Sequence, residues 1–279
     1  MPPTLMSVAI PTALLAMLPA SLAWAQSAPS GKPLWELGGV ALGVSQQAYP
    51  GSDQQVNRAL ALPVFLYRGP FLRADGETLG VRALKTPTVE LDVGFSASLG
   101  ASSRPIDARR GMPKLGTLVE LGPRLKWRLG DGPAGAKWQA NFPLRAVFDL
   151  SDSLSQRGLA FEPELVLARN TSNGWSWSAR GGLVAGNRKL NDTFYGVAPS
   201  FATATRPAYE AKSGLIAFRL GATASRPITP DWNFFTFARV DTVAGAANDN
   251  SPLVRQKTGA TVGVGVSYTF LRSERRAVD

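Results

Sequence analysis

Residues 259–270 read Gly-Ala-Thr-Val-Gly-Val-Gly-Val-Ser-Tyr-Thr-Phe. Ala260, Val262, Val264, Val266, Tyr268 and Phe270 fall on one parity, and Gly259, Thr261, Gly263, Gly265, Ser267 and Thr269 on the other. Side chains alternate across a strand, so this stretch has one large apolar face and one small or hydroxylated face. A tilted strand needs about 9–11 residues to cross a bilayer. Strands of soluble sandwiches usually run to about half this length and carry charge on their outer face. The stretch therefore reads as the closing strand of a transmembrane antiparallel up-and-down β-barrel.

The same alternation recurs upstream. Val89, Leu91, Val93, Phe95, Ala97 and Leu99 oppose Glu90, Asp92, Gly94, Ser96 and Ser98. Val119, Leu121, Leu125, Trp127 and Leu129 oppose Glu120, Gly122, Arg124, Lys126 and Arg128. Trp138, Ala140, Phe142, Leu144, Ala146 and Phe148 oppose Lys137, Gln139, Asn141 and Arg145. Leu159, Phe161, Leu165 and Leu167 oppose Glu162 and Glu164; Trp175, Trp177, Ala179 and Leu183 oppose Ser176, Ser178 and Arg180. Ile216, Phe218, Leu220 and Ala222 are placed outward against Arg219, Gly221 and Thr223, whereas Trp232, Phe234, Phe235 and Phe237 fall on both faces. With strands at 34–45 and 58–68, and a short hairpin at 71–75 and 79–84, the count is twelve, or ten if 71–84 is loop. Connections alternate between short turns (69–70, 85–87, 130–135, 170–174, 226–230) and longer loops (46–57, 100–116, 150–158, 186–214, 244–257). Short periplasmic turns opposite long extracellular loops are the outer-membrane pattern. Trp127, Trp138, Trp175, Trp177, Trp232 and Tyr268 sit near strand ends, as an interfacial aromatic girdle would. A soluble β-sandwich is the competing fold.

Composition agrees with a barrel. The 279 residues include 28 Gly, no Cys and no His, with a formal net charge of +10. Outward and inward residues average out, so the near-zero mean hydropathy is compatible with a membrane wall. The continuous apolar run at 5–25 ends in Ala23-Trp24-Ala25, so 1–25 is expected to be a secretory signal cleaved after Ala25, although it holds no Lys or Arg. An amino-terminal membrane anchor, or a misplaced start codon, is the competing reading. Residues 26–33 form a short flexible lead-in, 34–270 the barrel, and 271–279 a basic periplasmic tail. Without imidazole, Ser–His–Asp and Cys–His chemistry and most catalytic zinc sites are closed. No cofactor, metal or nucleotide fingerprint occurs, so the chain is read as non-enzymatic.

Folding the hairpins about their turns pairs the inward charges. Glu90 and Asp92 come opposite Lys126 or Arg128 and Arg124, Glu120 opposite Arg145, Arg145 opposite Glu162, and Glu164 opposite Arg180. Two readings stand: a lumen network propping the wall, or an arginine-lined ion pathway. Interleaved signs favour the first. Further cations lie in loops (Arg104, Arg109, Arg110, Lys114; Arg188, Lys189, Arg206, Lys212) and in the tail (Arg272, Arg275, Arg276). These could meet lipopolysaccharide phosphates outside and acidic cell-wall material inside, or simply be solvated. No nucleic-acid motif accompanies them.

Six local sequences occur in order: Tyr49-Pro50-Gly51-Ser52-Asp53, Phe71-Leu72-Arg73-Ala74-Asp75, Phe194-Tyr195-Gly196-Val197, Arg206-Pro207-Ala208-Tyr209-Glu210-Ala211, Ser251-Pro252-Leu253-Val254-Arg255 and Ser267-Tyr268-Thr269-Phe270. Together they resemble the MipA/OmpV family of outer-membrane proteins, the MltA-interacting proteins, across about Trp35 to Phe270. The resemblance implies a Gram-negative outer-membrane barrel that scaffolds a lytic murein transglycosylase and a penicillin-binding synthase. It carries over no catalytic residues. One departure stands out: nine further residues follow Phe270, the terminal aromatic on which such barrels commonly end.

Overall fold

The structure, a computed structural model, describes residues 31–75, 79–98 and 106–277. The expected signal, residues 26–30 of the lead-in, Leu99, Arg104 and the last two residues of the tail lie outside them. Thirteen strands form one antiparallel sheet: β1 (Trp35–Gln47), β2 (Gln55–Arg68), β3 (Leu72–Ala74), β4 (Leu79–Lys85), β5 (Val89–Ser98), β6 (Leu118–Asp131), β7 (Lys137–Asp149), β8 (Ser155–Phe161), β9 (Glu164–Asn170), β10 (Ser176–Gly186), β11 (Gly214–Pro227), β12 (Trp232–Thr242) and β13 (Thr258–Arg272). One helix, α1 (Arg188–Tyr195), lies between β10 and β11.

The sheet closes because β13 pairs with β1 as well as with β12, with Ala41 opposite Val266 and Ser45 opposite Val262. β8 and β9 are one crossing broken in the middle. β8 pairs with the outer half of β7 and β9 with its inner half, with Glu162 and Pro163 between them. Pro163 has no N–H to give to a ladder. Its carbonyl still accepts from Leu183, and the Glu162 N–H donates to Pro143, so bonding continues across the break. Counted this way the wall has twelve crossings, with the short hairpin β3–β4 supplying two.

The faces follow the alternation. On β13, Val262 and Val264 are each 51 % exposed to the lipid side, whereas Thr261 is 6 % exposed. The inward glycines make room for aromatics. An added Cβ at Gly263 would lie 2.3 Å from the Phe237 ring, and one at Gly265 would lie 2.5 Å from the Phe235 ring and 2.7 Å from the Ala41 carbonyl oxygen. This accounts for the mixed parity of β12, whose Phe235 is among the most buried side chains.

Ile216 corrects the expected placement. Two-residue alternation puts it outward, yet it is buried. The β10–β11 register slips there: Val184 faces Ala217 and Ala185 faces Leu215, leaving Ile216 as an extra residue. A bulge of this kind re-aims a side chain. Ile216 thereby joins Leu190 and Tyr195 of α1 in a core cluster at the outer mouth.

The tail after Phe270 is tied down as far as Ala277. β13 continues to Arg272; the Leu34 N–H then donates to Arg275, the Ala277 N–H to Lys32, and Pro33 bridges Arg276. Arg68 adds a 2.6 Å ion pair to Glu36 and donates to the Pro33 carbonyl at 2.9 Å. The segments flanking the barrel, 31–34 and 273–277, thus form a small ribbon under the β1–β13 seam.

Replacing Gly265 by Val should drive a branched side chain into Phe235 and the β1 backbone. The expected cost is about 1–3 kcal/mol, typical of overpacking. It should appear as a lower urea midpoint in detergent and a smaller folded band on unheated gels; an unchanged midpoint would contradict this packing.

Candidate functional site: the barrel interior and its cap

The charged wall of the interior is built by the β5–β6 hairpin. Because β5 places Glu90 and Asp92 inward, and the register sets Glu90 against Lys126 and Asp92 against Arg124, acids and cations meet directly across the ladder. Arg124 reaches Asp92 at 2.8 Å, while Lys126 reaches Glu90 at 3.0 Å and Asp92 at 3.1 Å. Asp92 is 0 % exposed. Arg128 stands farther off, 3.6 Å from Glu90, and also donates to the Thr86 and Pro87 carbonyls. Arg82 of the short β4 adds a 3.5 Å contact to Glu90.

Nearer the outer mouth the contacts are diagonal. The sheet partner of Glu120 is Val147 and that of Arg145 is Ala160, yet Arg145 reaches Glu120 at 2.9 Å and donates to Ser96 at 2.8 Å. Glu164 lies opposite Gly182, and Arg180 comes only to 3.8 Å of it; Asn141 donates to Glu164 at 2.7 Å. The nearest cation to Glu162 is Arg219, at 3.7 Å. Arg219 itself is held by Asp241 at 2.7 Å, and Arg239 reaches Asp241 at 2.8 Å. Sequence reading placed Arg219 inward without assigning it to the network, and left out Asp241 and Arg239 altogether. The mixed parity of the β12 aromatics hid those two, although counting forward by twos from Phe235 through Phe237 exposes them.

The opposite wall is apolar. Val40, Leu42 and Val44 of β1 pack with Val64 and Phe235, flanked by Leu60, Leu62, Leu66 and Phe237. A cavity of about 460 Å³ runs between the walls, lined by Glu120, Arg145, Glu162, Arg180, Arg219 and Asp241 among others and reaching Tyr49 and Leu190 at the outer mouth.

Four of the long outer loops, the one at 186–214 carrying α1, fold into a packed cap. The Tyr49 hydroxyl donates to the Leu253 carbonyl at 2.6 Å, and the Tyr195 hydroxyl to Pro50 at 3.1 Å. Ser251 donates to the Tyr195 carbonyl at 2.8 Å, and the Asn248 amide to Asn191 and Lys212, each at 2.8 Å. Tyr49, Val56, Ile106, Leu115, Val197 and Leu253 form a core of their own. The loop cations are therefore not uniformly solvated. Arg109 is buried and donates to the Phe194 carbonyl at 3.2 Å, and Arg206 donates to Ala108, Arg110 and Phe201. Arg110, Lys114, Arg188, Lys189 and Lys212 remain exposed. Burial holds the Arg109 guanidinium below its usual range and pushes the Tyr49 phenol up to about 12.

Residues 38–270 match the family model described as MltA-interacting protein MipA. No curated protein matches. Among solved structures, the NanC porin is 10 % identical with a TM-score of 0.40, covering 82 % of this chain and 98 % of that one. The COG4313 outer membrane channel from Pseudomonas putida F1 is 14 % identical with a TM-score of 0.36, covering 88 % and 99 %. The translocator domain of the autotransporter NalP from Neisseria meningitidis is 12 % identical with a TM-score of 0.40, covering 85 % and 88 %.

Two expectations follow from this interior. Asp92→Ala leaves Arg124 and Lys126 without their buried partner and should cost about 3–5 kcal/mol in urea unfolding. Arg180→Met, at a loose and partly wet contact, should cost under about 1 kcal/mol; equal losses would refute the assignment of Asp92 as the hub. For the cap, the raised Tyr49 pKa means that the folded state keeps its proton longer than the unfolded chain. Cap stability should thus be full below pH 10 and fall as pH rises from 10 to about 12. Phenolate absorbance near 295 nm should lag in the native protein, and Tyr49→Phe should remove part of the lagging amplitude, the remainder belonging to Tyr195 and Tyr209, whose phenols burial also raises.

Proposed function

Because the chain belongs to the MltA-interacting protein MipA family over residues 38–270, we propose that it is a non-enzymatic outer-membrane scaffold. On this reading it holds a lytic murein transglycosylase beside a penicillin-binding synthase during cell-wall remodelling. Family membership is the observation that carries the reading. The architecture is compatible with it: the interior charges are occupied with one another, and the outer loops are occupied in a cap. Surface for periplasmic partners remains at the inner rim, made of the short turns and the ribbon of 31–34 with 273–277. Exposed Arg110, Lys114, Arg188, Lys189 and Lys212 on the outer rim suit lipopolysaccharide phosphates. The signal at 1–25 would deliver the chain to the envelope.

A second reading, a channel for small solutes, is favoured by the cavity of about 460 Å³ and its charged lining. An affinity pull-down from envelope extracts should recover both a transglycosylase and a penicillin-binding protein. Recovery of neither would overturn the scaffold. Planar-bilayer recording on the refolded barrel should be silent if the cap and charge pairs block passage, and steady unitary currents would favour the channel instead.

A further inference from the structure

We propose that the cavity opens sideways through the wall between β2 and β5, and that this portal takes one molecule of a zwitterionic, acyl-chain amphiphile from the bilayer. The first observation is the register. β3 meets β2 only at Tyr67 opposite Ala74 and Arg68 opposite Arg73. From Gln55 to Leu66, β2 pairs with β1 on one side, and among the described residues no strand pairs with it on the other. Pro63, which has no N–H to donate, lies in this stretch, as suits a sheet edge. Across the gap, β5 pairs with β4 no farther than Gly94; beyond it, Phe95 to Ser98 pair with β6 alone. At the level of the hairpin the two strands are separated by β3 and β4, three strand spacings or roughly 14 Å. Above, the Asp107 N–H donates to the Gln54 side chain, so the gap is a window bounded at top and bottom.

The second observation is the cavity lining, which includes Asp75, Leu79, Gly94, Phe95 and Ser96 on this side. Phe95 points to the lipid face and is 52 % exposed there, yet it also lines the cavity. The cavity thus comes up to the edge of β5 that borders the gap, at the level where the Phe95 ring faces lipid. An open sheet edge facing hydrocarbon is costly, because lipid offers its N–H and C=O groups no partner; backbone of this kind is tolerated where it lines a wet cavity.

The chemistry of the rim selects the occupant. On the lumen side, Arg145 donates to both Ser96 and Glu120, presenting a cation and a carboxylate side by side within reach of the window. On the lipid side stand Leu72, Val81, Val93 and Phe95, all exposed. A head group carrying both a phosphate and an ammonium matches the first set, and an acyl chain the second. A second copy of the chain does not fit the edge. Two barrels sharing one orientation in a membrane are related by an axis along its normal, so their tilted β2 strands would cross at roughly twice the 35–45° tilt and could not ladder.

The natural absence of cysteine allows a direct test in the full chain refolded in detergent. Ser96→Cys carries a bimane reporter inside the window, Thr223→Cys a second reporter across the cavity, and Val264→Cys a control on the lipid face. The probes are nitroxide-chain phosphatidylethanolamine, phosphatidylglycerol and diacylglycerol. Quenching at position 96 or 223 should be several-fold stronger with phosphatidylethanolamine than with diacylglycerol, while position 264 is quenched by all three. Gly94→Trp places an indole on the sill, where a Cβ meets nothing closer than 3.4 Å, and should abolish lumen quenching without changing position 264. No lumen quenching by any probe, equal quenching by all three, or quenching that survives Gly94→Trp would each overturn the proposal. None of these outcomes depends on which periplasmic enzymes the protein recruits.

Discussion

A chain crossing hydrocarbon must satisfy every backbone N–H and C=O from within, since lipid offers none. The pairing of β13 with β1 meets that demand where an open sheet would leave two raw edges. Much else in the molecule answers to this closure. Alternation becomes obligatory, because each wall residue faces either lipid or lumen. The glycines of β13 then serve the interior, giving Phe235 and Phe237 space to lie against the seam from inside. Along the outer part of β2, where β3 supplies only two paired rungs, the wall changes character, and this is where the proposed portal lies.

The interior is asymmetric in chemistry. Valine, leucine and phenylalanine fill the side formed by β1, β2, β13 and the first half of β12, while the side from β4 to β11, continued by Arg239 and Asp241 of β12, carries carboxylates and guanidinium groups. Buried ion pairs are weak stabilisers against a greasy alternative of the same volume, but removing one member is expensive. Such pairs therefore do more to fix register than to add stability. Glu90 with Lys126, and Asp92 with Arg124, would lose their partners if β5 slid by one residue along β6, because a one-residue slip sends every side chain to the other face.

Two-residue periodicity made the wall legible in the sequence, and with it the number of crossings, the inward parity of Glu90, Asp92, Arg124 and Lys126, and the membrane-facing band. Parity fixes a face without fixing a register, which is why Glu120 and Arg145 meet diagonally instead of across one rung. Ile216 escaped for a related reason: a bulge changes parity locally and leaves no mark in composition. The cap was the least legible part, since its contacts join segments far apart in the chain, such as Tyr49 with Leu253. Even so, four of the six motifs that suggested the family, those beginning at Tyr49, Phe194, Arg206 and Ser251, take part in the cap. Their kinship signal came from loop packing that strand reasoning does not reach.

The ribbon of 31–34 with 273–277 bears on how the cylinder is made. Among the described strands β1 is synthesised first and β13 last, so the joint between them has to wait until the whole wall has been made. Until then the sheet carries two unsealed margins, of the kind that invites aggregation. Contacts of such long sequence separation are also slow to form. The residues beyond Phe270 add a clasp at this late joint, tying 273–277 to 31–34 once both strands have arrived. The appendage can be understood as a latch on the last step of assembly.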